Sequence, residues 1–120
     1  GIPNLQTWFP LYLTAALDDA RVSLSTVVET TSANPAAHYR LAPRKGTLEP
    51  GADADLILVD PDERTEIQAS DMFDQSDFTP FEGRSLAVPE LTMSRGDVIY
   101  EDGAVTGEEG RGEFLARPDP

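Results

Sequence analysis

The stretch Lys45-Gly46-Thr47-Leu48-Glu49-Pro50-Gly51-Ala52-Asp53-Ala54-Asp55-Leu56-Ile57-Leu58-Val59-Asp60 carries the clearest structural signal in the chain. Pro50-Gly51 suits the two central positions of a type II turn, because proline presets φ at the first and glycine accepts a positive φ at the second. Beyond it, four apolar residues bounded by Asp55 and Asp60 read as a strand over 54–60, buried on both faces. Outward from this stretch the two halves differ in character.

Toward the start, from Leu5 to Leu41, the pattern is helical. Leu5, Trp8, Phe9, Tyr12, Leu13, Ala16 and Leu17 recur at helical spacing and predict one apolar stripe. Pro10 lies inside that stripe, so the helix is expected to start near it or to kink there. Ser23 is expected to cap a short helix over Leu24, Val27 and Val28. Asn34-Pro35 predicts a cap followed by proline at the first helical position, opening a helix through Leu41.

Toward the end the pattern is β. Thr65-Glu66-Ile67 is a weaker strand, and Met72 to Gly83 is irregular, with aromatics on both sides of Pro80. Leu91–Ser94 and Val98–Glu101 form two strands joined at Arg95-Gly96-Asp97, and Asp102-Gly103 signals a hairpin into Ala104-Val105. The tail Arg117-Pro118-Asp119-Pro120 is expected to be loosely held.

Composition narrows the function. The 120 residues are enough to bury a core, and 39% hydrophobic with 26% charged residues fits a folded domain or part of one. A net charge of −13 repels phosphate backbones and argues against nucleic acid as a partner. No apolar run approaches the roughly 20 residues that span a bilayer, and no basic-then-apolar leader opens the chain, so a cytoplasmic protein with no membrane partner is expected. Eight of the nine bases are arginine and the acids are spread along the whole length, a balance that resembles halophilic proteins, in which salt screens carboxylate repulsion. Opening at Gly1-Ile2-Pro3-Asn4 without a methionine, the chain is expected to be the later part of something longer.

Catalytic groups are sparse. There is no cysteine, and the one histidine, His38, has no ligand at i+4 and no paired nucleophile, so neither a metal site nor a catalytic residue is expected within the chain. The close acid pairs Asp53/Asp55, Asp60/Asp62 and Asp71/Asp74 are expected in turns, caps and solvated surface. Gly107, Gly110 and Gly112 sit among acids that would repel phosphate, and no serine lies in a Gly-x-Ser-x-Gly elbow.

Motifs in order along the chain nevertheless resemble one family. Lys45-Gly46-x-Leu48-x-Pro50-Gly51-x-x-Ala54-Asp55-Leu56-x-x-x-Asp60 is similar to a strand-turn-strand signature of the amidohydrolase superfamily. Gly1-Ile2-Pro3-x-Leu5-x-Thr7, Ser32-x-Asn34-Pro35-Ala36, Thr79-Pro80-Phe81-Glu82-Gly83, Thr92-x-x-Arg95-Gly96-x-Val98-x-Tyr100-Glu101-Asp102-Gly103 and Gly110-Arg111-Gly112-x-Phe114-Leu115-x-Arg117 resemble its cyclic amidohydrolases, the dihydroorotases, allantoinases and hydantoinases or dihydropyrimidinases. The chain departs from their pattern at Asn4 and Arg40, where glycine is usual, and at Gln6, where glutamate is usual.

The resemblance implies an α/β parent. Residues 1–44 would be the last helical part of a (β/α)₈ barrel, and residues 45–120 most of a small C-terminal β-sandwich domain. It implies hydrolysis of a small cyclic amide by hydroxide activated on a binuclear zinc centre, with every metal ligand earlier than Gly1. Gly1, Ile2, Pro3 and Asn4 would then be substrate-binding, offering backbone groups to the ring. The implied partners are the remainder of the chain's own barrel and further copies in a homo-oligomer. A different class also fits the residues: an independent, acidic, non-catalytic module that binds a protein through its helical stripe.

Overall fold

The computed structural model describes residues 1–19 and 21–117. By packing, the chain divides into two compact units, each built from two stretches. One holds Gly1–Leu24 with Val59–Pro89; the other holds Ser25–Leu58 with the residues from Glu90 onward.

In the first unit, helix α1 spans Trp8–Asp18. Pro10 is its third residue, where the missing N–H would have no partner within the helix anyway, so the helix runs through it. Ahead of α1, the Asn4 carbonyl accepts hydrogen bonds from the Thr7 and Trp8 N–H groups at 3.1 and 2.9 Å and from the Thr7 hydroxyl at 3.3 Å. Asn4 does not take the left-handed conformation that a glycine there would allow; among the described non-glycine residues only Arg40, Arg95 and Asp102 have positive φ.

The expected single stripe is divided. Leu13 and Ala16 are buried, Phe9 and Tyr12 half-buried, and Trp8 exposed. The buried face of α1 packs on β3 (Ser85–Leu86), which pairs antiparallel with β2 (Thr65–Glu66). The Thr14 hydroxyl accepts the Ala87 N–H at 2.8 Å in the middle of this contact, satisfying a fully buried amide beside Leu86 and Ile67. An ion pair between Arg64 and Asp18 at 2.7 Å ties the far end of α1 to the same unit.

In the second unit, α2 (Leu24–Val28) continues through a wider π-helical turn, Glu29–Ala33, into α3 (Asn34–His38). Asn34 is therefore not an N-cap: its backbone is already helical and its N–H bonds the Glu29 carbonyl within the continuing helix. Pro35 gives the reason. It cannot donate to the Thr31 carbonyl and its ring crowds that carbonyl, and the helix responds by widening rather than stopping.

The helix ends at His38, not at Leu41. Leu41 N–H reaches the Ala36 carbonyl at 2.8 Å and Arg40 N–H the Ala37 carbonyl at 3.1 Å, the paired bonds of a Schellman ending. Arg40 takes the left-handed position with φ 58°. Using arginine where glycine is unstrained costs about 1–2 kcal/mol.

The sheet of this unit is antiparallel, in the order β1 (Leu56–Leu58), β4 (Leu91–Ser94), β5 (Asp97–Glu101), β6 (Ala104–Val105). Both β4–β5 and β5–β6 close through two-residue turns, Arg95-Gly96 and Asp102-Gly103, with positive φ at every central position. That is the type I′ geometry, which matches the right-handed twist of the strands. Between the pairs Thr92–Tyr100 and Met93–Val98 the register shifts by one, which leaves Ile99 as the extra residue of a bulge in β5.

The strand expected over 54–60 is shorter and more open than its sequence suggested. It covers three residues, and Ile57 and Leu58 are 38% and 55% exposed. The physical reason is its place: β1 is a terminal strand of the sheet, and burial on both faces requires layers on both sides.

Arg111 donates to the Ser94 carbonyl at 2.6 Å and Arg95 pairs with Glu113 at 2.7 Å, holding residues 111–113 to the β4–β5 hairpin. Of the tail expected to be loose, Arg117 is exposed and Pro118, Asp119 and Pro120 lie outside the described residues.

Candidate functional site

Among the described residues each unit carries a place of arranged polar chemistry. The first is the opening segment. Gly1, Ile2 and Asn4 are exposed and Pro3 is half-buried, in irregular backbone leading into the turn at 4–7. The three bonds accepted by the Asn4 carbonyl commit that group internally.

The turn is anchored by Gln6, which sequence reading noted only as a departure from glutamate. Its Nε2 donates to the Asp71 carbonyl at 3.2 Å and its Oε1 accepts the Phe73 N–H at 2.9 Å. No local signal could have found this, because the partners are 65 and 67 residues away.

The second place is built on the Pro50-Gly51 turn. Gly51 has φ 97° and Ala52 N–H reaches the Glu49 carbonyl at 3.0 Å, as a type II turn requires. The turn folds residues 53–55 back against 44–45. Lys45 then pairs with both Asp53, at 2.9 Å, and Asp55, while Arg44 also holds Asp53 at 2.9 Å. The Arg95 N–H donates to the other Asp55 oxygen at 2.8 Å, joining the cluster to the β4–β5 turn. Asp53 and Asp55 are thus the partners of the chain's one lysine rather than free surface acids. The available signal was a lone lysine placed across a turn from an Asp-x-Asp pair.

Electrostatics fixes the role of this cluster. Partial burial by itself would lower the Lys45 pKa, but the hydrogen bonds and charges of Asp55 and Asp53 outweigh it and hold the ammonium above its ordinary value. Asp53 is held below the usual carboxylate range by the Lys45 and Arg44 hydrogen bonds. Burial would raise Asp55, yet Lys45 and the Arg95 amide bring it below that range as well. A lysine locked as ammonium between two carboxylates cannot act as a base at neutral pH, so the cluster is structural.

The pH dependence follows in sign. The depressed aspartates contribute stability that is present above their unfolded value of about 3.9 and is lost as pH falls through their lower folded values. The raised lysine contributes stability present below about 10.4 and lost as pH rises through its higher folded value. Lys45→Met is therefore expected to be less stable than the parent sequence across that whole window, with the gap closing in acid. Denaturant melts at pH 7 and pH 2 provide the check; a gap undiminished at pH 2 would reject the pairing as its source.

The remaining expected residues do not assemble. His38 is exposed, with its ring edge-on to Tyr39 at 5.1 Å between centroids. Asp60 accepts the Asp62 N–H at 2.8 Å and Asp74 the Ser76 N–H at 2.7 Å, both ordinary turn bonds. Ser76 donates further hydrogen bonding to Asp74, and together these lower the Asp74 pKa. Among the described residues no group of three or more histidine, cysteine or acidic side chains could hold a metal ion. Nor is any helix among them long and apolar enough to cross a membrane.

Comparison with known proteins supplies what the site does not. The sequence profile of the amidohydrolase family matches residues 1–100. A D-phenylhydantoinase of Escherichia coli O1:K1 is 39% identical over 118 residues, covering 98% of this chain and 26% of that protein. Among solved structures, the L-hydantoinase (dihydropyrimidinase) of Arthrobacter aurescens superposes with a TM-score of 0.91 at 39% identity, over 98% of this chain and 26% of its own. The D-hydantoinase (dihydropyrimidinase) of a Thermus species gives a TM-score of 0.84 at 34% identity, over 91% and 24%. The chain spans about a quarter of the length of these relatives.

Proposed function

The chain belongs to the amidohydrolase family, and from that premise we infer that these 120 residues are the C-terminal portion of a hydantoinase-like hydrolase. The whole protein would open a cyclic amide of the hydantoin or dihydropyrimidine type. Water adds its oxygen to a ring carbonyl carbon, the C–N bond breaks, and the released nitrogen takes a proton. The observation that carries this reading is the match along 98% of the chain, in sequence and in backbone, to hydantoinases of which it makes up 26%. Of the dihydroorotase, allantoinase and hydantoinase branches, these likenesses favour the last.

In this reading residues 1–44 end a (β/α)₈ barrel and residues 45–120 form most of a small β-domain. In the same reading the backbone of Gly1, Ile2, Pro3 and Asn4 borders the ring. The zinc-bound hydroxide implied by the resemblance does not fit the residues present: the one histidine is exposed and the one lysine is committed to Asp53 and Asp55. Any metal would be held by residues elsewhere in the protein, together with the rest of the barrel and the contacts of a homo-oligomer.

Two measurements test the reading. The whole enzyme is expected to open hydantoin or dihydrouracil rings, and the 120-residue chain alone to open none and to hold no stoichiometric zinc. Zinc retained at one equivalent after dialysis, together with turnover by the isolated chain, would overturn it.

A further inference from the structure

We propose that Gln6 is a positioning residue for the substrate-facing segment Gly1–Asn4, acting through a two-way amide clamp on the backbone of Asp71 and Phe73; the functional half of this rests on the hydantoinase-like reading. A primary amide can donate and accept at once, and here it does both to one stretch of backbone, at 3.2 Å to the Asp71 carbonyl and 2.9 Å from the Phe73 N–H.

Each side of the clamp is itself fixed. On one side the turn at 4–7 is closed by three bonds to the Asn4 carbonyl, and the buried Thr7 supplies two of them. On the other, the 3₁₀ turn Ala69–Asp71 is held at its start by Glu82, whose Oε2 accepts the Ala69 N–H at 2.7 Å. The Met72 N–H closes that turn on the Ala69 carbonyl at 3.2 Å. The Gln6 side chain joins these two pieces at their ends. Without it the turn at 4–7 keeps its own bonds but loses these two bonds to residues 71–73, and the direction in which Gly1–Asn4 leaves is less well held.

The whole enzyme decides this with two variants. Gln6→Met removes both bonds, whereas Gln6→Glu keeps the acceptor for Phe73 and loses the donor to Asp71. The expected result for Gln6→Met is amide exchange at Phe73 about tenfold faster, and KM for the cyclic amide raised about fivefold to tenfold with kcat within about twofold, the scale of one or two neutral hydrogen bonds. Gln6→Glu should fall between. Its deficit should shrink as pH falls toward about 4.3, because a protonated carboxyl again both donates and accepts. A side chain that merely fills space gives no such pH dependence.

Unchanged protection at Phe73 in both variants would overturn the clamp. Lost protection with unchanged KM would overturn the positioning role. Should Gln6→Met fold poorly, Gln6→Glu and its pH profile carry the same decision. A wild-type enzyme that opens no cyclic amide would remove the functional reading and the positioning role that rests on it, while the exchange arm still judges the clamp.

Discussion

Gly46→Ala is expected to destabilise the protein by about 2–5 kcal/mol, close to the whole stability of a marginal domain. Two independent causes add. The backbone at Gly46 has φ 82°, which costs a residue with a side chain about 1–2 kcal/mol. A methyl group there would also stand 2.5 Å from the Ala36 Cβ and 2.9 Å from the Ser32 carbonyl oxygen. Neither neighbour is the far end of a flexible side chain, so relief requires the backbone of the π-turn and α3 to move, and overpacking of this kind costs about 1–3 kcal/mol more. Gly51 has φ 97° but open space around it, so Gly51→Ala should lose only the conformational part. Urea melts of the two variants side by side are the measurement. A loss below about 1 kcal/mol for Gly46→Ala, or equal losses for both, would mean that the close approach to α3 is not maintained in solution.

The isolated 120-residue chain is expected to self-associate through residues 5–17 or to show that segment frayed. Leu5 and Trp8 are 87% and 44% exposed, although Leu13, Ala16 and Pro10 on the same stretch are buried within the unit. Covering one large apolar side chain stabilises by about 1.5–3 kcal/mol, so two uncovered ones leave several kcal/mol to be gained by any association that hides them. In the whole enzyme the rest of the barrel would supply that cover. Sedimentation across a concentration series, with Leu5→Ser and Trp8→Gln as the control that should restore a monomer, tests the first outcome. Hydrogen exchange tests the second. Strong amide protection of residues 5–17 in a demonstrated monomer would sink the expectation and favour a self-sufficient binding module.

Turn and hairpin signals carried by one or two residues persist in the structure. The Pro50-Gly51 turn, the hairpin at Asp102-Gly103 and the strand Leu91–Ser94 follow from residues whose local preferences leave few choices, while the next strand, expected over Val98–Glu101, starts one residue earlier because Asp97 pairs with Ser94 across a two-residue turn. Local preference gave way where it met a competing neighbour. Asn34 has the chemistry of a cap, but the helix arriving from Leu24 had already absorbed it, and Pro35 widened the turn instead of starting a new helix. Leu56-Ile57-Leu58-Val59 has the composition of a central strand, but composition does not say how many strands lie beside it. Arg40 adopted the left-handed helix ending that its side chain disfavours, because the Leu41 and Arg40 amides gain the Ala36 and Ala37 carbonyls there.

Residue type and short spacing were enough to specify the Pro50-Gly51 turn, the hairpin at Asp102-Gly103 and the family. Which groups meet across distance is fixed by packing in three dimensions. That packing set Lys45 between Asp53 and Asp55, brought the Ala36 methyl against Gly46, placed the Thr14 hydroxyl on the buried Ala87 amide, and carried the Gln6 amide to residues 71–73. The reason is physical: a turn is fixed by the torsions of two residues, whereas a long-range contact is fixed by the packing of every element between its partners, and no single residue encodes that path.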